Sequence, residues 1–156
     1  MSIPGNLLTT AMAVMPHKDV DRPRGVHLCG NPDWDFLLGM DLDILSLDVY
    51  TNGEVFASYA GSVQRFLARG GLLVLGVVPT NFESFEKEDM GSLIGRLEEI
   101  WRALKKRGID RDLLVSLSLL SPATCCLVNP DGERIVEKAF DLVRELSERL
   151  RNRYKL

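Results

Sequence analysis

Histidine, cysteine and aspartate side chains recur where apolar segments of the chain end. His27 and Cys29 lie two residues apart at the end of one apolar segment, Asp48 ends the next, and Cys125 and Cys126 follow the last. Thiolate sulfur and imidazole nitrogen are common zinc ligands, and a carboxylate, water or substrate can complete a tetrahedral site. These residue types predict a zinc site, provided that the fold brings the three segments together.

Five near-continuous apolar segments predict the strands that would position these residues. Runs of this kind are typical of strands buried on both faces of a parallel sheet. The predicted strands span residues 7–15, 25–29, 44–49, 72–78 and 113–120.

Helical patterns separate the later strands. Asn31 followed by Pro32 predicts one helix start, and Thr51 with Glu54 predicts a capping box at another. Two longer helices show apolar residues at three- and four-residue spacing. These residues are Leu93, Leu97, Ile100, Trp101 and Leu104 in the first helix, and Ile135, Ala139, Leu142, Val143, Leu146 and Leu150 in the second.

The alternation of strands and helices predicts a single α/β domain with right-handed crossovers. In such a domain the carboxyl ends of the strands form one rim, where ligands bind. Side chains two apart on a strand project to the same side, so His27 and Cys29 can share one ion. Residues 16–24 are fewer than the dozen or more that a parallel crossover needs, so strands one and two are not expected to be neighbours.

Composition and charge restrict the class of protein. The chain has 156 residues, 46% of them hydrophobic, which suits one globular domain. With 19 basic and 22 acidic residues the net charge is -3, so neither nucleic acid nor a membrane surface is expected as a partner. The longest apolar stretch, residues 71–79, is too short to span a bilayer, and no signal peptide is visible. We expect a cytoplasmic protein whose three cysteines are thiols or metal ligands.

Four short motifs at the strand ends extend this pattern. They are His27-Leu28-Cys29-Gly30-Asn31, Leu45-Ser46-Leu47-Asp48, Gly76-Val77-Val78-Pro79, and Ser121-Pro122 with Cys125. Together they resemble the carboxyl-terminal half of the superfamily of uroporphyrinogen decarboxylase and cobalamin-independent methionine synthase. The resemblance implies a TIM barrel that uses zinc to transfer a methyl group to a thiol. It also implies that His27, Cys29 and Cys125 are the zinc ligands, with Asp48 in place of a glutamate ligand of methionine synthase.

The amino-terminal segment resembles a different part of the same family. Residues 9–17, with the sequence TTAMAVMPH, are similar to the first barrel strand, although Ala13 and Val14 replace its Gly-Ser pair. Residues 1–22 would then correspond to strand one, and residues 23–156 to the carboxyl-terminal half-barrel. A complete barrel takes about 250 residues, so the chain predicts a partial TIM-barrel-like sheet of about five strands with helices on its outer face. Its open edges favour a homo-oligomer or a complementary subunit.

The resulting functional hypothesis is zinc activation of a thiol substrate, with methyl-folate or methyl-corrinoid as the donor. The alternative is a non-catalytic zinc-binding or structural remnant of the fold that acts in assembly. Each site residue also has a simpler interpretation. His27 and Cys29 could be a packed core pair, Asp48 could cap a helix or support a ligand histidine, and one of Cys125 and Cys126 could only pack. Zinc-dependent hydrolysis is less favoured, because no general base is evident beside the predicted metal.

Overall fold

The computed structural model describes residues 22–124, residue 130 and residues 133–156. The predicted strand over residues 7–15, together with His17, Cys125 and Cys126, lies outside the described residues. In chain order the elements are β1 (Gly25–Leu28), α1 (Trp34–Gly39), β2 (Ile44–Asp48), α2 (Val49–Ser58), α3 (Ala60–Ala68), β3 (Leu72–Val78), α4 (Phe82–Phe85), α5 (Met90–Lys106), α6 (Arg111–Ser116), β4 (Ser118–Pro122) and α7 (Arg134–Tyr154).

The four described strands form one parallel sheet in the order β1-β2-β3-β4. His27 is paired with Ser46, Ser46 with Val74, and Val74 with Leu119, so these four residues form one row across the sheet. Helices lie in every connection between neighbouring strands. This arrangement confirms the predicted α/β class and the parallel sheet.

The two faces of the sheet differ in burial. Leu45, Leu47, Leu73 and Leu75 on one face are 0–1% exposed and belong to the same core as the apolar residues of the helices. Right-handed connections between successive neighbours place their helices on one side of a sheet, which accounts for this one-sided core. On the other face Ile44, Ser46, Leu72 and Val74 are only partly buried and Leu119 of β4 is 50% exposed, whereas Asp48 and Gly76, nearer the carboxyl ends of their strands, are buried.

Two predicted helix starts are wrong by a few residues. Helix α1 begins after Asp33, whose side chain accepts a hydrogen bond from the Phe36 N–H at 3.1 Å, whereas Asn31 accepts one from the Trp34 indole at 2.8 Å. Helix α2 begins directly after Asp48, so Thr51 lies within the helix rather than at its start. In both cases an aspartate carboxylate caps the free N–H groups, an interaction that aspartate makes as well as serine or threonine does.

The predicted strand over residues 113–120 is partly wrong. Residues Arg111–Ser116 form α6, and β4 begins only at Ser118. Asp110 accepts hydrogen bonds from the N–H groups of Asp112 and Leu113, at 2.7 and 3.1 Å, and so starts a helix inside the apolar run. A short apolar run does not by itself distinguish a buried helix from a strand.

The two amphipathic helices are confirmed. All five apolar residues predicted to face the core from α5 are buried, and in α7 Ile135, Ala139, Leu146 and Leu150 are buried while Leu142 and Val143 pack against the core partly exposed. None of the helices in the described part of the chain is long and apolar enough to cross a membrane.

Candidate functional site at the carboxyl rim

The structure brings His27 and Cys29 into contact at the carboxyl end of β1. The His27 Nε2 atom lies 3.1 Å from the Cys29 sulfur. Its other ring nitrogen, Nδ1, lies 2.8 Å from the hydroxyl oxygen of Ser46 on the neighbouring strand. Ser46 therefore fixes the orientation of the imidazole that presents Nε2 to the thiol, the kind of support that ligand histidines usually have. The His27 side chain is exposed and Cys29 is partly buried, so the pair is accessible rather than sealed in the core.

The separation of the two donor atoms is close to what a zinc ion requires. In tetrahedral geometry, zinc–nitrogen and zinc–sulfur bonds of ordinary length hold the two ligand atoms about 3.5 Å apart. The observed 3.1 Å would need to widen by only a few tenths of an ångström, which side-chain rotation can supply. His27 and Cys29 thus fit two of the four positions of a zinc site.

Asp48 is the last residue of β2. It follows Leu47, which is paired with Leu28 of β1. It is only 2% exposed, and its Oδ1 atom accepts a hydrogen bond from the Thr51 N–H at 3.0 Å as the N-cap of α2. Burial raises the pKa of Asp48 above its ordinary value of 3.8, against the lowering effects of hydrogen bonds from Thr51 and Tyr50 and of the nearby His27 side chain. One carboxylate oxygen of Asp48 therefore has a structural role at the start of α2, beside the His27 pair.

The segment that leads to Cys125 reaches the same rim. The Ala123 N–H donates a hydrogen bond to the Val78 carbonyl at 2.7 Å, and the hydroxyl oxygens of Thr80 and Thr124 lie 2.6 Å apart. Gly76 permits this approach, because a Cβ atom at that position would lie 2.7 Å from the Ala123 Cα atom. Residues 122–124 therefore lie at the carboxyl ends of β3 and β4, while Cys125 and Cys126 lie outside the described residues.

The described residues hold no group of three or more His, Cys, Asp or Glu side chains that could bind a metal ion. Within that part of the chain, the site consists of one nitrogen and one sulfur donor, with Asp48 engaged in capping. The donor types fit zinc. A neighbouring imidazole can also act as a base toward a thiol, so the same contact is compatible with a metal-free nucleophilic cysteine.

Several residues shape this rim through contacts that the motifs do not predict. Ser46 is separated from His27 by 19 residues, and Thr80 from Thr124 by 44, so neither contact has a local sequence signal. Gly76 does have one, since a glycine inside a strand often marks the close approach of another backbone segment.

Comparisons of the chain with protein-family models, with curated proteins and with solved structures gave no match.

Proposed function

We propose that this protein binds zinc through His27 and Cys29 and uses the metal to activate a thiol substrate for methyl transfer. The observation that supports this function most directly is the 3.1 Å contact between the imidazole and the thiol at the carboxyl rim of a parallel sheet. The approach of residues 122–124 to the same rim supports Cys125 as a further ligand. Methyl transfer itself follows from the resemblance of the strand-end motifs to the methionine synthase superfamily.

In this proposal the residues of the chain set the charge and orientation of the site. Bound zinc would favour loss of the proton from a coordinated thiol, which gives a thiolate at neutral pH. Ser46 holds the His27 ring in position, and two thiolates with one neutral imidazole keep the metal site electrically neutral. Asp48, which is buried beside His27, lowers the cost of positive charge at the rim when it is ionised. The methyl group would come from a methyl-folate or a methyl-corrinoid.

Zinc content measured by atomic emission tests the metal site without assuming activity. We expect about one zinc per chain in protein purified under reducing conditions, and loss of most of it in Cys29→Ser and Cys125→Ser. Cys126→Ser is the matched control and should retain the metal. Ser46→Ala should weaken zinc binding by about tenfold or more while keeping the ligands, since it removes the support of the His27 ring. Wild-type protein without zinc, or Cys29→Ser protein with full zinc, would contradict the site.

Alkylation of Cys29 separates the zinc site from a reactive thiol. Iodoacetamide should modify Cys29 slowly in zinc-loaded protein and faster after chelation, whereas a metal-free nucleophile would react at the same rate in both. Assays of thiol methylation with each donor class then test the transfer reaction. A stable zinc site without methylation of any thiol would favour the non-catalytic alternative.

A second proposal concerns the assembly that would complete the fold, and the uncovered face of the sheet favours it. Parallel sheets are almost always covered on both faces, yet Leu119 is 50% exposed on a face where His27 is also exposed. Strands β1 and β4 each pair with one neighbour among the described residues, so both lie at an edge of the described sheet. All four strands run in the same direction, so a two-fold axis parallel to them would set β4 of one copy beside β1 of a second. The described strands of the two copies would then form an eight-stranded parallel barrel, the strand number of a TIM barrel.

The mass in solution tests this assembly. Light scattering should give the mass of a dimer at micromolar concentration. Leu119→Asp should shift the protein towards monomer, because it places a charge on the face that the second copy would cover. Val55→Asp is the matched control, since Val55 is exposed to a similar degree, 43%, on α2. A monomeric wild type, or equal dissociation by both variants, would contradict the proposed dimer.

A further inference from the structure

A second candidate site lies in the helix layer, away from the carboxyl rim. A cavity of about 460 Å³ opens between the carboxyl-terminal half of α5, the start of α6 and the end of α7. Its walls carry Arg102 and Lys105 from α5, Arg111 from α6 and Arg153 from α7. Four cationic side chains from three helices thus surround one small cavity.

These positive charges are only partly compensated. Glu98 is the one carboxylate among the residues that line the cavity, so the lining carries four positive charges and one negative charge, in a chain of net charge -3. Its Oε1 atom is already held by Arg153, at 2.7 Å, and by the Tyr154 hydroxyl, at 3.0 Å. Within the described part of the chain, no ion pair joins Arg102, Lys105 or Arg111 to a carboxylate. Like charges gathered in this way repel one another unless an anion lies between them.

The arrangement is held in place by aromatic packing. The Arg111 guanidinium lies over the Tyr154 ring, 4.4 Å from its centroid, and this ring packs edge-on against Trp101 at 5.7 Å. The hydrogen bond from the Tyr154 hydroxyl to Glu98 fixes the ring from the other side. Trp101 also lines the cavity, and its buried indole N–H has no hydrogen-bond partner among the described residues. Arg111 is therefore pre-positioned, which lowers the entropic cost of using it to bind an anion.

We propose that this cavity binds a small, multiply charged anion that carries phosphate groups. Arginine forks and lysine ammonium groups are the usual partners of phosphate oxygens, and a phosphate group carries about two negative charges near neutral pH. The small volume of the cavity and the acidic net charge of the chain fit a small molecule better than a nucleic acid, which needs an extended basic surface. Lys105 lies in the last turn of α5, the end farther from the carboxyl rim of β3, so this site is separate from the His27–Cys29 pair.

Titration calorimetry of the full chain with inorganic pyrophosphate at low ionic strength tests the proposal. We expect saturable binding of one pyrophosphate per chain. Arg111→Gln and Lys105→Gln should each weaken the affinity by about tenfold or more, because each removes a charge-assisted hydrogen bond. Both residues are exposed, so neither variant should unfold the protein, and circular dichroism checks this.

Arg149→Gln provides the matched control. Arg149 lies on α7 like Arg153, is paired with Glu145 at 2.6 Å and does not line the cavity. Its substitution should leave the affinity unchanged within about twofold. Absence of pyrophosphate binding to the wild type at millimolar concentration would overturn the proposal. An equal loss of affinity in Arg149→Gln and Arg111→Gln would overturn it as well, since binding would then reflect general charge.

Discussion

Val74 and Leu75 are adjacent residues of β3 with similar hydropathy, yet they lie in different surroundings. Leu75 is 1% exposed in the core beneath the helices, while Val74 faces the other side of the sheet and is only partly buried. The difference therefore comes from topology rather than from side-chain type. Connections of one handedness place the described helices on one side of the sheet, and the apolar residues of the other side need cover from elsewhere. The candidate zinc pair lies on this less covered side.

The largest effects should come from substitutions that compare the two faces directly. Leu75→Ala should lower the free energy of unfolding by about 2–5 kcal/mol, because it leaves a cavity in a close-packed core. Val74→Ala should cost about 1 kcal/mol or less in the monomer, since part of the side chain is already in contact with water. Urea unfolding at low protein concentration measures both values.

Dimer formation should affect the stability of Val74→Ala and Leu75→Ala differently. If a second copy covers Val74, the cost of Val74→Ala should grow with protein concentration, because the side chain is then buried in the dimer. The cost of Leu75→Ala should change little over the same range. Equal costs for the two variants at low concentration would contradict the difference between the faces.

Two glycines, Gly76 in β3 and Gly95 in α5, provide a second comparison. An added methyl group in Gly76→Ala would meet the backbone of Ala123 and Pro122 at 2.7 and 2.9 Å, so this variant should lose about 1–3 kcal/mol. Gly95→Ala within α5 meets no atom within 4 Å and should gain up to about 1 kcal/mol from helix propensity. Thermal unfolding of both variants measures the difference. A neutral Gly76→Ala variant would mean that residues 122–123 can move away from the rim at little cost.

Much of the fold could be predicted from the sequence, because its strongest signals are local and periodic. The apolar spacing of α5 and α7 identified both helices, and the runs that became β2 and β3 were placed within one residue of their ends. The helix α6 was missed because its buried residues, Leu114 and Val115, belong to an apolar run that continues into β4. Only the cap at Asp110 distinguishes the two elements, and a capping aspartate is a weak signal when an apolar run follows it.

The two candidate sites also differ in whether the sequence contains a local signal for them. His27 and Cys29 are two residues apart, so their contact follows from the geometry of one strand. The basic cavity combines Arg102, Arg111 and Arg153, which are separated by up to 51 positions. Their spacing in the sequence does not distinguish them from other surface arginines. Lys105 lies in the last turn of α5, where a basic residue is favourable in any helix, so its presence does not reveal the cavity. These charges lie close together only because the three helices pack against one another. The composition of the chain does not reveal this.

A smaller effect on stability is expected from a charge cluster that links α2 to α5, on the side of the sheet that the helices cover. The Glu88 side chain is 3% exposed and accepts hydrogen bonds from the Tyr50 hydroxyl at 2.8 Å and from Arg96 Nε at 2.9 Å. Burial by itself would raise the pKa of Glu88, but the hydrogen bonds from Arg96, Ser92 and Tyr50 together hold it below the ordinary 4.5. The folded state thus favours the ionised carboxylate, and this contribution to stability is present above pH 4.5 and lost as the pH falls through the lowered pKa.

Glu88→Gln should accordingly cost about 1 kcal/mol at pH 7 and less at an acidic pH below the lowered pKa of Glu88, where the wild-type carboxylate is protonated. Urea unfolding at the two pH values measures the change. Glu145→Gln is the control, because Glu145 is paired with Arg149 on the exposed surface of α7 and should contribute little at either pH. If the cost of Glu88→Gln were the same at both pH values, the hydrogen bonds of this residue would join α2 to α5 without a contribution from its charge.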